Sequence, residues 1–129
     1  MPSILLVEDH ELFARTLLRV LKERGHLDVA AIARSAEEAL ELLPNLKVDL
    51  ALVDVSLPHR SGISLVLNLQ QQYPHLPCVM LSGHASHHYA RSSLAAGARG
   101  YLIKDHTEEI LRGIQRVLQG EIFVSEEVR

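Results

Sequence analysis

The sequence has no tryptophan, and only 4% of it is aromatic. A surface that stacks nucleic-acid bases is therefore not expected. Basic charge is not in excess either: the net charge is −3 with the histidines neutral. A chain that wraps nucleic acid wants a basic patch, so this segment is not expected to bind DNA itself. One cysteine, Cys78, cannot make an internal disulfide. It stands in an apolar run and reads as a small buried residue, which favours a reducing, cytoplasmic setting. No apolar run reaches the roughly 18 to 20 residues that a membrane span needs. The start, MPSILLVEDHE, lacks a basic stretch and meets acids early, unlike a signal peptide. Internal repeats, low-complexity segments and domain linkers are absent too. What remains is 129 residues, 47% apolar, which suits one globular domain with one core.

Four apolar runs end abruptly in polar residues. The organising one is ALVDVSLP, residues 51–58, where the run closes on Asp54 and turn formers follow at once. SILLVED ends on Glu8 and Asp9, CVMLSG on Ser82, and GYLIKD on Lys104. A buried parallel strand that delivers a side chain to the carboxyl edge of a sheet looks like this. In open α/β sheets, that edge is where ligands bind.

Between these runs the period changes from strand to helix. Strands are expected at 3–8, 27–34, 49–54, 78–82 and 100–103, the second lying nearer an edge. Helices are expected at 10–24, from Ser35 to near Pro44, and at 63–73, 86–96 and 107–119. Leu12, Phe13, Leu17, Val20 and Leu21 are read as one face of the first helix, and Leu65, Val66 and Leu69 as the inner face of the third. The last helix carries Ile110, Leu111, Ile114, Val117 and Leu118. Ser35 with Glu38 is a capping-box signature, and Thr107 is a possible cap for the last helix. Five βα units in alternation mean an α/β fold: a parallel five-stranded sheet between two helical layers. The flavodoxin-like order 2-1-3-4-5 is favoured, which puts strands one, three and four together at the centre. The domain is expected over 1–120, with 121–129 starting a linker or tail.

Glu8, Asp9 and Asp54 would then meet at one spot, where unneutralised carboxylates repel. A hard divalent cation resolves this, and Mg²⁺ held by few carboxylates plus water fits. Lys104 adds an ammonium and Ser82 a hydroxyl. A metal, a cation and a hydroxyl around one carboxylate suit phosphoryl transfer, with Asp54 as nucleophile forming an acyl phosphate.

Taken together and in order, VEDH, DVSLPHRSG, MLSG and GARGYLIKD make the chain resemble a response-regulator receiver domain of two-component signalling, from residue 3 to about 120. The tail, with ILRGIQRVLQGE and FVS, is most similar to the NarL/FixJ-type branch, which usually carries a C-terminal helix-turn-helix DNA-binding domain. The resemblance implies that Asp54 accepts phosphate from a sensor histidine kinase. It implies that Asp9, Asp54 and the Ser56 carbonyl bind Mg²⁺, with Glu8 acting mainly through water. Ser82 and Lys104 would contact the phosphoryl oxygens, and Tyr101 would be the aromatic switch that turns inward as Ser82 moves. Ser56 and His84, each two residues beyond a site residue, would flank the path of attacking water and tune the lifetime of the phosphorylated state. Asp105 follows Lys104 where many receivers have proline, so no cis X-Pro bond is available there. Phosphorylation would reshape the face of helix four, strand five and helix five, leading to dimerisation or to release of an output domain. No output domain is present in these residues, so a truncated regulator and a stand-alone receiver both stay open.

Plainer readings exist for each residue alone. Asp54 could form a turn, Glu8 could cap a helix, Ser82 could be a loop hydroxyl, Lys104 a solvated charge and Tyr101 half-buried packing; their joint placement at strand ends favours the site. His84, His87 and His88 suggest a transition-metal site, but His87 and His88 would point about 100° apart on a helix. Two other classes of function remain. A phosphatase with an aspartyl nucleophile would want an acid-base residue two positions after Asp54, where Ser56 stands, and a cap domain. A phosphate-independent binding module would not need the acidic pocket. The chain is not expected to turn over free substrates, only to catalyse its own phosphorylation and dephosphorylation.

Overall fold

The apolar runs form the strands. Ser3–Val7 (β1), Leu50–Asp54 (β3), Cys78–Ser82 (β4) and Gly100–Ile103 (β5) are buried almost throughout, while Asp28–Ala33 (β2) alternates in exposure, as the outermost strand on its side should. The computed structural model describes all 129 residues. Its sheet is parallel, in the order β2-β1-β3-β4-β5-β6. The flavodoxin-like core is as expected. The sixth strand, Phe123–Val124 (β6), is an addition to the five expected. It pairs with β5 through Gly100 and Tyr101. Residues 121–129 thus contribute a strand and a closing 3₁₀ turn, Glu126–Val128, to the sheet's far edge.

Alternation along each strand splits the core in two. Leu5, Val7, Ala51, Val53, Met80 and Tyr101 face one helical layer, formed by Ala36–Leu42 (α2), Gly62–Gln72 (α3) and His87–Ala95 (α4). Ile4, Leu6, Leu50, Leu52, Val79, Leu81 and Leu102 face the other, formed by Glu11–Glu23 (α1) and Thr107–Leu118 (α5). Each fully buried Leu, Ile or Val side chain contributes roughly 1.5–3 kcal/mol. Both faces are therefore strongly held, and the strand ends are fixed in register.

Most of the expected helix faces hold. Leu65, Val66 and Leu69 are buried in α3, and Ile110, Ile114 and Val117 in α5. Leu12 does not join its stripe: it is 77% exposed. The buried line of α1 is Ala14, Leu17 and Leu21, and at 100° per residue Leu12 falls nearly opposite Ala14. Ser35 caps α2, accepting the Glu38 N–H at 3.1 Å, while the Glu38 carboxylate reaches the Arg34 N–H. α2 closes at Leu42 and a 3₁₀ turn, Leu43–Asn45, carries the chain to Pro44. Thr107 is the first residue of α5 rather than its cap; His106 holds the cap position, with no side-chain bond to the helix. Cys78 is fully buried, and burial pushes its thiol up to about 12.

Candidate functional site

β1 and β3 are neighbours, with Val7 opposite Val53. The next residues on each strand, Glu8 and Asp54, therefore emerge side by side at the carboxyl edge. Asp54 is 3% exposed and Glu8 is 1% exposed, whereas Asp9 lies open to solvent. Carboxylate oxygens of the three lie within 4.8 Å of one another. Two are held by backbone: Asp54 Oδ1 accepts the Ser56 N–H at 3.2 Å, and Glu8 Oε2 accepts the His10 N–H at 3.1 Å. Burial is the main reason that the Glu8 carboxyl is raised above its ordinary 4.5, and the charge on Asp54 adds to it. A cluster of hard oxygen donors, one of them exposed, fits a hard divalent cation.

Lys104 enters from β5, with its N–H fixed on the Ser82 carbonyl at 2.8 Å. Its Nζ lies 2.9 Å from Glu8 Oε1 and 3.3 Å from Asp54 Oδ2. The contact with Asp54 is as the sequence leads one to expect; the contact with Glu8 is an addition to it. Burial alone would push the Lys104 ammonium down. The hydrogen bond to Glu8 and the charges of Asp54 and Glu8 outweigh it and hold the ammonium above 10.5. Under the ammonium lies the ring of Phe13, 4.8 Å from Nζ to its centroid. The sequence offered Phe13 only as one residue of an apolar face.

Ser82 ends β4 with its hydroxyl turned to its own loop. Ser82 Oγ donates to the His84 carbonyl at 3.0 Å and accepts the His84 N–H at 3.1 Å. The Tyr101 hydroxyl donates to the same carbonyl at 3.0 Å. Tyr101 is fully buried, with its ring already turned inward while Ser82 holds the His84 backbone, whereas the resemblance implies an inward turn that follows the movement of Ser82; burial pushes its hydroxyl above 10.0. His84 meets Ser82 and Tyr101 through its backbone, while its side chain is exposed. Ser56 is exposed beside Asp54. His87 and His88 are exposed at the start of α4.

Gly62, the last residue of the DVSLPHRSG motif, is a further site residue. Its N–H donates to the Val55 carbonyl at 2.8 Å. A Cβ built there would stand 1.9 Å from the Asp54 carbonyl oxygen and 3.1 Å from the Met80 methyl. Only glycine lets the start of α3 lie so close to the backbone that carries Asp54.

An acidic pocket with a lysine in it, at the carboxyl edge of a flavodoxin-like sheet, marks the class of α/β domains to which the chain belongs. Residues 4–116 match the response regulator receiver domain family, and the chain belongs to it. It is 35% identical over 123 residues to the transcriptional regulatory protein MctR of Rhizobium johnstonii, covering 95% of this chain and 58% of that one. It is 36% identical over 121 residues to the DNA-binding transcriptional activator DevR/DosR of Mycobacterium tuberculosis, covering 93% and 56%. The chain thus spans less than two thirds of the length of these relatives. Among solved structures, a LuxR-family two-component response regulator from an Aurantimonas species superposes with a TM-score of 0.93 at 27% identity, covering 98% of this chain and 91% of that one. The signal receiver domain of the response regulator NarL from Mycobacterium tuberculosis gives 0.85 at 26% identity, covering 93% and 98%. The chain is a receiver domain of the two-component response regulators, and its relatives are transcriptional regulators. No helix is long and apolar enough to cross a membrane.

Proposed function

We propose that Asp54 is the phosphoacceptor of a signalling switch. The observation that carries this is its environment: a buried carboxylate, one oxygen on a backbone N–H and the other 3.3 Å from an ammonium, beside two further acids. One Asp54 oxygen attacks the phosphorus of a phosphohistidine on a sensor histidine kinase. The O–P bond forms, the N–P bond breaks, and the departing imidazole nitrogen takes a proton. Asp9, Asp54 and the Ser56 carbonyl would hold Mg²⁺, with Glu8 acting mainly through water. That ion, when bound, would neutralise charge on the transferred oxygens. Lys104, with Nζ 3.3 Å from Asp54 Oδ2, would trade its contact with Glu8 for the same oxygens. Ser82 turns from the His84 carbonyl to a phosphoryl oxygen, and Tyr101 responds on the shared carbonyl. Ser56 and His84 flank the approach of water and set how long the acyl phosphate lasts. The face of α4, β5 and α5 then changes, and the output is control of transcription through a DNA-binding domain, in keeping with the similarity to the DNA-binding transcriptional activator DevR/DosR, by way of dimerisation or release. The domain acts only on itself in this reading and turns over no free substrate.

The test is intact mass after incubation with Mg²⁺ and a small acyl phosphate, with Asp54→Ala alongside. One added phosphoryl group on the wild type and none on the variant is expected. No adduct, with beryllofluoride also failing to bind in the presence of Mg²⁺, overturns the reading.

A further inference from the structure

A second polar centre lies at the far edge of the sheet. Glu109, on α5, is only 7% exposed. Its Oε1 accepts the Ser125 hydroxyl at 2.5 Å and its Oε2 the Glu126 N–H at 3.0 Å. His106 bridges it to the same segment, with Nδ1 3.5 Å from Glu109 Oε1 and Nε2 3.8 Å from Glu127 Oε1. Ser125 is fully buried. Apolar fit accompanies the polar one. A Cβ on Gly113 would come 2.9 Å from the Phe123 ring, and one on Gly100 would come 3.1 Å from the Phe123 carbonyl. The Arg129 guanidinium lies 5.2 Å from the centre of the Phe123 ring, and Arg129 Nε donates to the Val124 carbonyl at 2.7 Å. An unattached tail leaves carboxylates and hydroxyls in water. Here a groove between β5 and α5 takes an extended peptide with a ring at one end and a buried hydroxyl two residues on.

The groove joins the site through β5. Phe123 donates its N–H to the Arg99 carbonyl at 3.0 Å, and Ser125 donates to the Tyr101 carbonyl at 2.8 Å. At the other end of Tyr101, its hydroxyl shares the His84 carbonyl with Ser82. A continuous set of contacts therefore runs Ser82, His84, Tyr101, Ser125, Glu109.

We propose that the β5/α5 groove is a docking surface for residues 122–128, locked by Glu109, and that its hold on them is coupled through Tyr101 to the state of Asp54. The coupling rests on the phosphoacceptor reading above. When Ser82 leaves the His84 carbonyl, Tyr101 becomes that carbonyl's remaining hydroxyl partner, and the β5 backbone it belongs to is the one that Ser125 grips. Both ends then bias one two-state element, which is the physical requirement for coupling between distant sites. The charged acceptor makes the lock strong, because hydrogen bonds to a carboxylate are roughly twice as strong as neutral ones.

Amide hydrogen exchange on the 129-residue chain, with Mg²⁺ and with or without beryllofluoride, tests this. Adduct formation should change exchange at Ser125 and Glu126 severalfold, while Ile4 to Val7 in β1 stay as they were. Glu109→Gln should speed exchange at Ser125 and Glu126 by about tenfold, the loss expected for a charge-assisted bond. It should leave beryllofluoride binding intact and abolish most of the adduct-dependent change. Ser125→Ala, which deletes one hydroxyl, carries the same expectation should Glu109→Gln fail to fold. Beryllofluoride bound with exchange at Ser125 unmoved overturns the coupling and spares the phosphoacceptor reading. Beryllofluoride not bound at all overturns both. Unchanged exchange in both variants overturns the lock.

Discussion

Lys104 shows how one residue is placed by unlike forces. Two carboxylates draw its ammonium, at 2.9 and 3.3 Å, and the Phe13 ring supports it from a third direction at 4.8 Å. A lysine side chain carries about 2 kcal/mol of rotamer entropy, so each contact that fixes Nζ lowers the cost of presenting it. A cation over an aromatic face contributes about 0.5–1 kcal/mol where exposed and about 2 where desolvated. Phe13→Leu keeps an apolar side chain against α1's core but removes the quadrupole. Its phosphorylation by a small acyl phosphate should slow about twofold to thirtyfold, the range those energies imply. Phe13→Tyr should restore the rate. A mass-detected time course checks both, and equal rates for Leu and wild type would mean that Phe13 only packs.

At the scale of elements, the β3–α3 connection holds the most closely packed glycine. Ser61 caps α3, accepting the Ser64 N–H at 3.1 Å, and Gly62 presses against the Asp54 carbonyl. A Cβ there meets backbone, not the tip of a flexible side chain, so either α3 or the Asp54 peptide must move. Overpacking of this kind costs about 1–3 kcal/mol. Gly62→Ala should therefore lower unfolding free energy by at least about 1 kcal/mol in denaturant and slow phosphoryl transfer to Asp54 further than stability explains. A variant of wild-type stability and rate would contradict the contact. This restriction was hidden in the sequence, where Gly62 looked like one turn former among several. The strands themselves were legible, because SILLV, LALVD, CVMLS and GYLI are short apolar runs ending in polar residues, and that pattern also placed Glu8, Asp54, Ser82 and Lys104 at one edge. β6 was not. Phe123–Val124 is two residues long, too short for any period, and its docking depends on Glu109 and Gly113, which lie in another element. Leu12 differs for another reason: at helical spacing it stands at the rim of the face of Phe13, Leu17, Val20 and Leu21, and the buried line through Ala14, Leu17 and Leu21 turns it to water.

At the scale of the molecule, two buried glutamates answer acid in opposite senses. For Glu8, burial dominates and raises the carboxyl above 4.5, so its ionised form costs stability at neutral pH and that cost is relieved as pH falls. For Glu109, burial pushes the same way but is outweighed by the Glu126 N–H, the Ser125 hydroxyl and His106, leaving the carboxyl below 4.5. A group depressed on folding contributes stability that is fully present above its unfolded value and is lost as pH falls through its folded one. A thermal profile of the wild type mixes the two effects. The difference between wild type and Glu109→Gln isolates the second, since Glu8 is common to both. That difference in Tm should shrink as pH falls through 4.5 and below, where Glu109 becomes protonated. Calorimetry at intervals between pH 7 and 3 reads it directly. A gap that stays constant into acid would show that the lock on residues 122–128 does not depend on the Glu109 charge, and that shape alone holds the sixth strand.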